Sequence, residues 1–282
     1  EHGRLVNLAI DDAVHVSIAD LMNADLLSVK INKRAEMGTL LPFFKATPIA
    51  EPLANVFEVI QGNGAASADI ELLVDLNELD VTAKGMVNLK DLPVYLAQPG
   101  LQLEGVTGQL YFNDDQITLE NANASWLGMP LKVNFNGKNI GPNYRADVDI
   151  KVQLNADTLI SHGQDLLKGY LHGESEVAIN LALNFLTDGF DYRANVSSQL
   201  EGLSSELPAP YTKSTDQVWP LTAVIQGDNI SNLITANINN NLYFNGILAN
   251  NVGKLTNAQF ILGEHDLGLN QQDLSVAIDL EQ

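Results

Sequence analysis

The sequence contains no cysteine. Thiolate catalysis, disulfides and cysteine-based zinc or iron–sulfur sites are therefore excluded. Basic residues are also scarce: 15 lysines and arginines stand against 35 aspartates and glutamates, which gives a formal net charge of −20. Because nucleic-acid binding relies on clustered lysine and arginine, we predict no nucleic-acid partner. The same acidic balance disfavours electrostatic adhesion to an anionic bilayer.

Aromatic residues and long apolar runs are scarce as well. Only 6% of the 282 residues are aromatic although 45% are hydrophobic, so any apolar surface must be built mainly from valine, isoleucine, leucine and alanine. No apolar run approaches the roughly 20 residues that a membrane-spanning helix requires. The chain begins at Glu1 with neither a methionine nor a signal pattern. We therefore expect a piece of a longer protein, with any membrane anchor outside it.

The strongest positive signal is the alternation of apolar and polar residues. It runs through three segments within residues 101–135, which are separated by polar breaks at 113–115 and 127–128. A side chain that changes face at every residue is typical of a strand with one covered face and one wet face. Both breaks have the length of a hairpin turn. We predict a three-stranded antiparallel meander here.

The same alternation recurs along most of the chain, in about fourteen predicted strands. The longest predicted strand, Tyr144 to Leu154, places Asp147 and Asp149 on its polar face. No regular βαβ alternation is present, which favours antiparallel hairpin connections. The low aromatic content favours an open trough over a closed sandwich. We predict a mainly β fold, a long antiparallel meander sheet curled into an elongated, taco-like groove. Residues 1–282 would form one continuous segment, with a sub-boundary near 155–172.

Two short helices and several breaks complete the predicted fold. Helical spacing over 47–60 predicts one helix, which Gly62 and Gly64 would terminate. Asp157 to Leu167 predicts the other, with Asp157 as its N-cap. Pro93 and Pro99 predict an edge strand or a connection between them. The pair Asp188-Gly189 predicts a tight hairpin.

No catalytic or metal-binding constellation is present in the sequence. The five histidines lack the i,i+4 spacing of a helical zinc site, and no nucleophile elbow, P-loop or dinucleotide fingerprint occurs. Asp147 and Asp149 alternate with Arg145 and Lys151, which is typical of a solvated strand face. Asp114-Asp115 is better explained as a hairpin tip than as a calcium site. We therefore predict no enzymatic activity, no cofactor and no metal. A carbohydrate-active enzyme is the weakest alternative, because it would need a carboxylate pair in an aromatic cleft.

Two stretches resemble a known family. One runs from Gly108-Gln109-Leu110-Tyr111-Phe112 to Trp126-Leu127-Gly128-Met129-Pro130-Leu131, preceded by Gly85 to Leu89. The other joins Leu200-Glu201-Gly202-Leu203 to Leu207-Pro208-Ala209-Pro210 and Lys213. Their order and spacing over about residues 80–225 resemble the bacterial AsmA-like family.

This resemblance implies a function that spacing alone does not show. AsmA-like proteins are similar to the bridge-like lipid transfer proteins, whose β units form a long groove with an apolar floor. It implies a parent protein in the periplasm of a Gram-negative bacterium, anchored in the inner membrane by a helix outside this chain. The implied partners are phospholipid acyl chains and a protein on the outer-membrane side. No motif residue of the family is catalytic.

Two functional hypotheses follow. In the first, the chain carries phospholipid between inner and outer membrane along its apolar face. In the second, it is a structural or partner-docking periplasmic module with a closed core. The residues predicted to line the groove are Leu110, Phe112, Leu131, Val133, Phe135, Val148, Ile150, Val152, Ile179, Leu181, Leu183 and Val196.

Overall fold

The structure is a computed structural model that describes most of the chain. The described residues are 3–5, 8–10, 14–18, 25–36, 60–78, 80–96, 101–162, 168–186, 189–228, 230–249, 254–262 and 275–277. Within them the predicted fold class, a mainly β antiparallel meander with little helix, is confirmed. The chain divides into two compact units, Glu1–Ala146 and Asp147–Gln282. That a single continuous groove runs over 1–282 stays a prediction.

Strands form the first unit throughout its described part. They are β1 (Gly3–Leu5), β2 (Leu8–Ile10), β3 (Val14–Ile18), β4 (Leu26–Glu36), β5 (Ile60–Gly62), β6 (Ala65–Asp75), β7 (Val81–Leu96), β8 (Leu101–Asn113), β9 (Gln116–Trp126), β10 (Met129–Ile140) and the start of β11 (Asn143–Asn155). The pair β1–β2 forms a separate ribbon. The main sheet pairs β3, β4, β6, β7, β8, β9 and β10 in that order, all antiparallel, and β5 pairs with β7.

The predicted three-stranded meander is confirmed as β8, β9 and β10. Its first turn contains Asp114 at a φ of 48°, and its second contains Leu127 and Gly128 at 52° and 77°. Positive φ at turn positions matches the right-handed twist of the flanking strands, which is why polar residues and glycine break the alternation there. The register places Phe112 opposite Ile117. The apolar residues of the meander therefore share one face.

Three β-bulges interrupt adjacent strands of this sheet. One extra residue lies in β7 between Leu89 and Leu92, one in β8 between Glu104 and Val106, and one in β9 between Glu120 and Ala122. Asp91, Gly105 and Asn121 lie at these places with φ of 55°, 63° and 51°. Each bulge adds one residue to its strand and increases the local twist. In β9 the residues on the apolar face therefore have odd numbers up to Leu119 and even numbers from Ala122 onward.

The prediction of an edge strand or a connection between Pro93 and Pro99 is wrong for residues 93–96, and residues 97–99 lie outside the described part of the chain. Strand β7 continues through Pro93 to Leu96, paired with β8 on one side and with β5 on the other. The register shift between Leu92 and Val94 explains this result, because a proline lacks the N–H donor and is tolerated at a bulge. The Pro93 carbonyl accepts a hydrogen bond from the Asn63 amide at 3.2 Å.

One row of the first unit packs an aromatic ring over a glycine. The ladder aligns Ile70, Gly85, Phe112 and Ile117 across β6 to β9, and the three larger side chains are buried. A Cβ added at Gly85 would lie 2.7 Å from Cζ of Phe112 and 2.2 Å from the backbone oxygen of Asp69. Only glycine fits beneath the ring at this point of the sheet.

Replacing Gly85 with alanine should therefore destabilise the first unit. The clash is with main-chain oxygen, which cannot move aside as a side chain does, so we expect a loss of at least about 2–3 kcal/mol in the free energy of unfolding. Gly128→Asn is the matched control, since nothing lies within 4 Å of a Cβ there and asparagine tolerates positive φ. Urea unfolding followed by circular dichroism measures both; equal midpoints for the two variants would contradict the packing described.

The second unit contains one described helix and the remaining strands. They are α1 (Ala156–Ser161), β12 (Leu171–Leu186), β13 (Gly189–Ser198), β14 (Leu203–Glu206), β15 (Thr212–Lys213), β16 (Leu221–Asp228), β17 (Ser231–Ile238), β18 (Leu242–Ala249), β19 (Lys254–Leu262) and β20 (Ser275–Ala277). The main sheet pairs β12, β13, β16, β17, β18, β19 and β20 in that order. A small side sheet pairs β12 with β14 and β14 with β15.

Helix α1 is shorter than predicted in its described part, and its N-cap differs. Asn155, not Asp157, is the N-cap: its Oδ1 accepts a hydrogen bond from the Thr158 amide at 2.9 Å. The prediction assigned the cap to the acidic residue Asp157. An N-cap, however, is the residue with extended backbone immediately before the first helical residue, and here that residue is Asn155. Asp157 instead accepts a hydrogen bond from Nδ1 of His172 at 2.9 Å, which joins α1 to β12.

Some predictions fall on residues outside the described part of the chain. The predicted helix over 47–60 lies there except for residue 60, which begins β5, and Gly62 belongs to that strand rather than to a helix end. Residues 163–167 of the second predicted helix and Asp188 of the predicted hairpin also lie outside. Strands β12 and β13 do pair as a hairpin, with Leu186 opposite Gly189.

Candidate functional site

The main sheet of the second unit has one continuous apolar face, which we call the apolar face. The register aligns its side chains in rows that cross neighbouring strands. One row contains Ile179, Val196, Ala223, Ala236, Phe244 and Phe260, and the next contains Leu181, Ala194, Ile225, Ile234, Gly246 and Ala258. Rows of this kind arise because side chains two residues apart share a face and their partners across the ladder share it too.

Many of the larger side chains of the apolar face are only half-buried. This holds for Ile179, Leu181, Ile225 and Ile234, whereas the small residues Ala194 and Ala258 are 7% and 3% exposed. The ring centroids of Phe244 and Phe260 lie 4.9 Å apart, and the two rings pack at a tilt of 51° across β18 and β19. The face is therefore a mainly aliphatic surface whose bulky side chains retain contact with solvent.

The opposite face of the same sheet is mostly polar. Arg193 donates from Nη1 to Oε1 of Gln226 at 2.7 Å, and Asn184 donates from Nδ2 to Oδ1 of Asp191 at 2.6 Å. Asp149 accepts a hydrogen bond from the Asn180 amide group and is exposed. These cross-strand pairs are those of an ordinary solvated face. The opposite face also carries Val224, Leu233, Ile247 and Ile261, so the two faces differ most in polarity over β12 and β13.

The first unit presents its predicted lining residues on the apolar side of its own sheet. Phe112 and Leu131 are 5% and 7% exposed, while Leu110, Val133 and Phe135 are half-buried. Leu110 lies opposite Leu119 in β9, and Leu119 lies opposite Phe135 in β10, so these three form one row. This face is more completely buried than the apolar face of the second unit.

The structure also places the other predicted lining residues. Val148 and Val152 of β11 are buried at 8% and 6% exposure, and Ile150 is half-buried. Leu183 lies one row beyond Leu181 on the apolar face. Residues of β16 to β19 on the same face were missed as lining residues, although their alternation predicted the strands themselves. These missed residues are Ile225, Ile234, Phe244 and Phe260.

A depression of about 990 Å³ lies on the polar side of the first unit. Its walls include Lys30, Glu71, Lys84 and Tyr111. Glu71 forms ion pairs with Lys84 at 3.2 Å and with Lys30 at 3.5 Å, and the hydrogen bond from Lys84 is the main reason why the pKa of Glu71 is lowered. Exposed ion pairs of this kind contribute little stability. The depression opens on the wet face, and its lining also includes Ile31, Ile70, Gly85 and Phe112 of the buried rows.

Comparison with known proteins now adds to this geometry. The sequence profile of the family described as "YhdP protein" matches residues 1–282. The chain belongs to the YhdP family. It is also 25% identical over 207 residues to the protein of Escherichia coli (strain K12) named "Intermembrane phospholipid transporter YhdP". That match covers 72% of this chain but 16% of the relative, so the chain spans about one sixth of that protein's length. No solved structure matches the chain.

The motif residues of this YhdP-family chain prove to be structural in the second unit. Gly202 has a φ of 88°, and a Cβ there would lie 2.3 Å from the Glu174 carbonyl oxygen of β12. Lys213 is 4% exposed, and its ammonium donates to the carbonyl oxygens of Leu203 at 2.7 Å and Ser214 at 3.1 Å. Burial lowers the pKa of Lys213. Together these contacts hold the segment between β13 and β16, which contains β14 and β15, in the side sheet with β12.

Among the described residues of the YhdP-family chain, no helix is long and apolar enough to cross a membrane. In the same described part, no group of three or more histidine, aspartate or glutamate side chains is arranged to hold a metal ion.

The turn between β16 and β17 provides a pH-dependent contribution to stability. Oδ1 of Asp228 accepts hydrogen bonds from the amides of Ser231 at 3.0 Å and Ile230 at 2.7 Å, and these bonds lower the pKa of Asp228. A carboxyl group whose folded pKa is depressed stabilises the fold above its unfolded pKa of about 3.9, and this contribution is lost as the pH falls through the folded value.

We therefore expect wild type to lose its stability advantage over Asp228→Asn as the pH falls below about 4. Asparagine keeps an oxygen that accepts the same amide hydrogen bonds but does not titrate, which makes it the matched variant. Thermal unfolding of both proteins at a series of pH values measures the difference. A difference in melting temperature that does not change between neutral pH and about pH 3 would contradict the role given to the ionised carboxylate.

Proposed function

We propose that this YhdP-family chain is a periplasmic segment that carries phospholipid acyl chains along its apolar face, between the inner and the outer membrane. The observation that supports this most strongly is the continuous, half-buried aliphatic surface across the strands of the second unit. The name of the Escherichia coli relative, an intermembrane phospholipid transporter, supports the same substrate class. On the second unit the proposed lining comprises the predicted residues Val148, Ile150, Val152, Ile179, Leu181, Leu183 and Val196, together with Ile225, Ile234, Phe244 and Phe260. The lining residues predicted in the first unit lie on that unit's own sheet and stay a prediction.

Burial of methylene groups supplies the energy for such binding. Each buried methylene contributes about 0.8 kcal/mol, so an acyl chain binds without any dedicated headgroup pocket. The two central rows, those of Ile179 and Leu181, carry only valine, isoleucine, leucine and alanine across β12, β13, β16 and β17. Binding energy is then similar from one position to the next, which lets a lipid move without crossing a deep energy well. In this proposal the chain needs no cofactor and performs no chemical reaction.

The alternative is a structural or partner-docking module with a closed core. The first unit gives this alternative its support, because Phe112, Ile117 and Met129 are buried at 5%, 7% and 3% exposure. A face that its own side chains cover completely leaves no surface for an acyl chain. We favour lipid carriage because Ile179, Leu181, Ile225 and Ile234 of the second unit are only half-buried. In either case the parent protein would be anchored in the inner membrane outside this chain, with a protein partner on the outer-membrane side.

Lipid analysis of the purified chain tests the proposal. The 282-residue chain is expressed in the periplasm of a Gram-negative host, purified without detergent, extracted with organic solvent and analysed by mass spectrometry. A periplasmic β-sandwich with a closed core, purified in parallel, controls for carry-over of membrane lipid. We expect phospholipid to copurify with the chain and not with the control. If the chain carries no more phospholipid than the control protein, the proposal is contradicted.

A further inference from the structure

The apolar face of the second unit carries a hydrogen-bonded tyrosine and asparagine near the end of its strands at which β12 and β13 join. Tyr192 of β13 and Asn232 of β17 lie in the row that also contains Leu183 and Gly227. The Tyr192 hydroxyl donates a hydrogen bond of 2.7 Å to Oδ1 of Asn232, across the intervening strand β16. Gly227 permits this bond, because a Cβ there would lie 2.3 Å from that same oxygen. We call these two residues the polar pair.

Aromatic rings accompany the polar pair at this end of the sheet. The Phe190 and Tyr192 rings stack with their centroids 6.2 Å apart and 20° between their planes. Asn232 is 6% exposed, and burial raises the pKa of Tyr192. Tyrosine combines an apolar ring with a polar tip and is favoured where an apolar phase meets a wet one. This end of the apolar face therefore has the composition of a boundary between hydrocarbon and polar groups.

The other end of the strands differs. There the row contains Val177, Ser198, Leu221 and Ile238. Its one polar side chain, Ser198, donates to the Glu176 carbonyl at 2.7 Å and accepts from the Leu200 amide at 3.0 Å. The main chain and the Ser175 hydroxyl, whose oxygen lies 3.3 Å from that of Ser198, thus satisfy this hydroxyl. The contact between Ser175 and Ser198 joins two adjacent strands, whereas the polar pair joins β13 to β17 across β16 and includes an aromatic ring.

The distance between the two ends suits an acyl chain. Six residues separate Val177 from Leu183 in β12, and at about 3.4 Å per residue they span about 20 Å. The acyl chains of one leaflet occupy about 15 Å, half of a hydrocarbon core about 30 Å thick. An extended acyl chain therefore fits along the strand direction between the two rows, and its polar end reaches the polar pair.

We propose that a bound diacyl glycerophospholipid lies along the strands, with its glycerol and headgroup at the polar pair and its methyl ends at the Val177 row. This inference rests on the proposed function and adds an orientation to it. The headgroup end of the apolar face is the end at which the hairpin joining β12 and β13 turns. The Tyr192 hydroxyl oxygen donates to Asn232 and can still accept a hydrogen bond, which a glycerol hydroxyl or a headgroup donor can supply and a hydrocarbon chain cannot.

Fluorescence quenching by spin-labelled lipid tests the orientation. Two reporter proteins carry a single tryptophan, one as Phe190→Trp beside the polar pair and one as Leu242→Trp at the far end, each with Trp126→Phe and Trp219→Phe. Each reporter is loaded with phosphatidylcholine that carries a nitroxide either on the headgroup or at the end of one acyl chain. We expect the headgroup label to quench the reporter at 190 more strongly, and the acyl-end label to quench the reporter at 242 more strongly.

The outcomes separate this inference from the proposed function. Equal or reversed quenching by the two labels would overturn the orientation while leaving lipid binding established. Quenching of neither reporter by either label would contradict lipid binding itself. The variant Tyr192→Leu with Asn232→Leu removes the polar pair, and in a folded variant the contrast between labels should be lost. A contrast that persists there shows that the pair does not orient the lipid. If the variant does not fold, the two reporters that keep Tyr192 and Asn232 still test the orientation of the lipid.

Discussion

Replacing Tyr144 with alanine should destabilise the first unit by about 3–5 kcal/mol, the usual cost of removing a fully buried aromatic side chain. Tyr144 is 2% exposed, and its ring lies over Gly137, where a Cβ would fall 2.4 Å from the hydroxyl oxygen and 2.6 Å from Cε1. Burial raises the pKa of Tyr144 far above its usual range, so the hydroxyl stays protonated at physiological pH. Alanine would leave both a cavity and an uncovered glycine in the sheet.

Two control variants make this prediction specific. Tyr144→Phe keeps the ring over Gly137 and should cost only about 1 kcal/mol, because only the hydroxyl is lost. Tyr111→Ala removes the same side chain from a position that is 45% exposed, and should change stability by no more than about 0.5 kcal/mol. Urea unfolding monitored by circular dichroism gives all three values. If Tyr144→Ala unfolds no earlier than Tyr111→Ala, the packing of this row is not as described.

Replacing Leu181 with aspartate should abolish lipid binding while leaving the fold largely intact. Leu181 is half-buried at the centre of the apolar face, so the new carboxylate can keep its water when no lipid is bound. Covering it with an acyl chain would remove that water at a cost of several kcal/mol. Since about 1.4 kcal/mol is a factor of ten, lipid occupancy should fall at least tenfold.

Ala182→Asp is the matched control for this experiment. It introduces the same carboxylate one residue further along β12, on the polar face and opposite Arg193. It should retain wild-type lipid occupancy and wild-type stability. Copurified phospholipid is quantified by mass spectrometry, and folding is followed by circular dichroism. Equal lipid loss in both variants would contradict the assignment of the lipid to one face. Global unfolding of Leu181→Asp alone would favour a closed core.

The sequence predicted the strands and faces well because they depend on local alternation. The strand over Tyr144–Leu154 was predicted almost to the residue, and the structure has it as Asn143–Asn155. The turn at Leu127-Gly128 followed from a local conformational preference. Neither prediction required knowledge of which strands are neighbours.

Features that depend on register could not be predicted in the same way. Strand β13 pairs with β16 rather than with β14, because the intervening excursion folds back onto β12 as a side sheet. The pairing of β13 with β16 places Tyr192 opposite Gly227 and within hydrogen-bond distance of Asn232. The bulge at Asn121 likewise changes which residues of β9 face the apolar side, and a fixed two-residue period cannot anticipate it.

The buried lysine shows a further limit of sequence reasoning. Lys213 was recognised only as part of a family motif, and nothing in its neighbours predicts that it is almost fully buried. Its acceptors are main-chain carbonyl groups, which carry no sequence signal. The helix cap was missed for a related reason, since Asn155 and Asp157 both have side chains suited to capping and the backbone geometry decides between them.

Photo-crosslinking most directly tests the central claim that acyl chains lie on the apolar face. The chain is loaded with a phospholipid that carries a photoreactive group within one acyl chain, irradiated, digested and analysed by tandem mass spectrometry. We expect adducts on residues of the apolar face such as Ile179, Ile225 and Ile234, and not on Asn180, Thr222 or Thr235 of the opposite face. Adducts distributed equally over both faces, or confined to the polar face, would contradict this account.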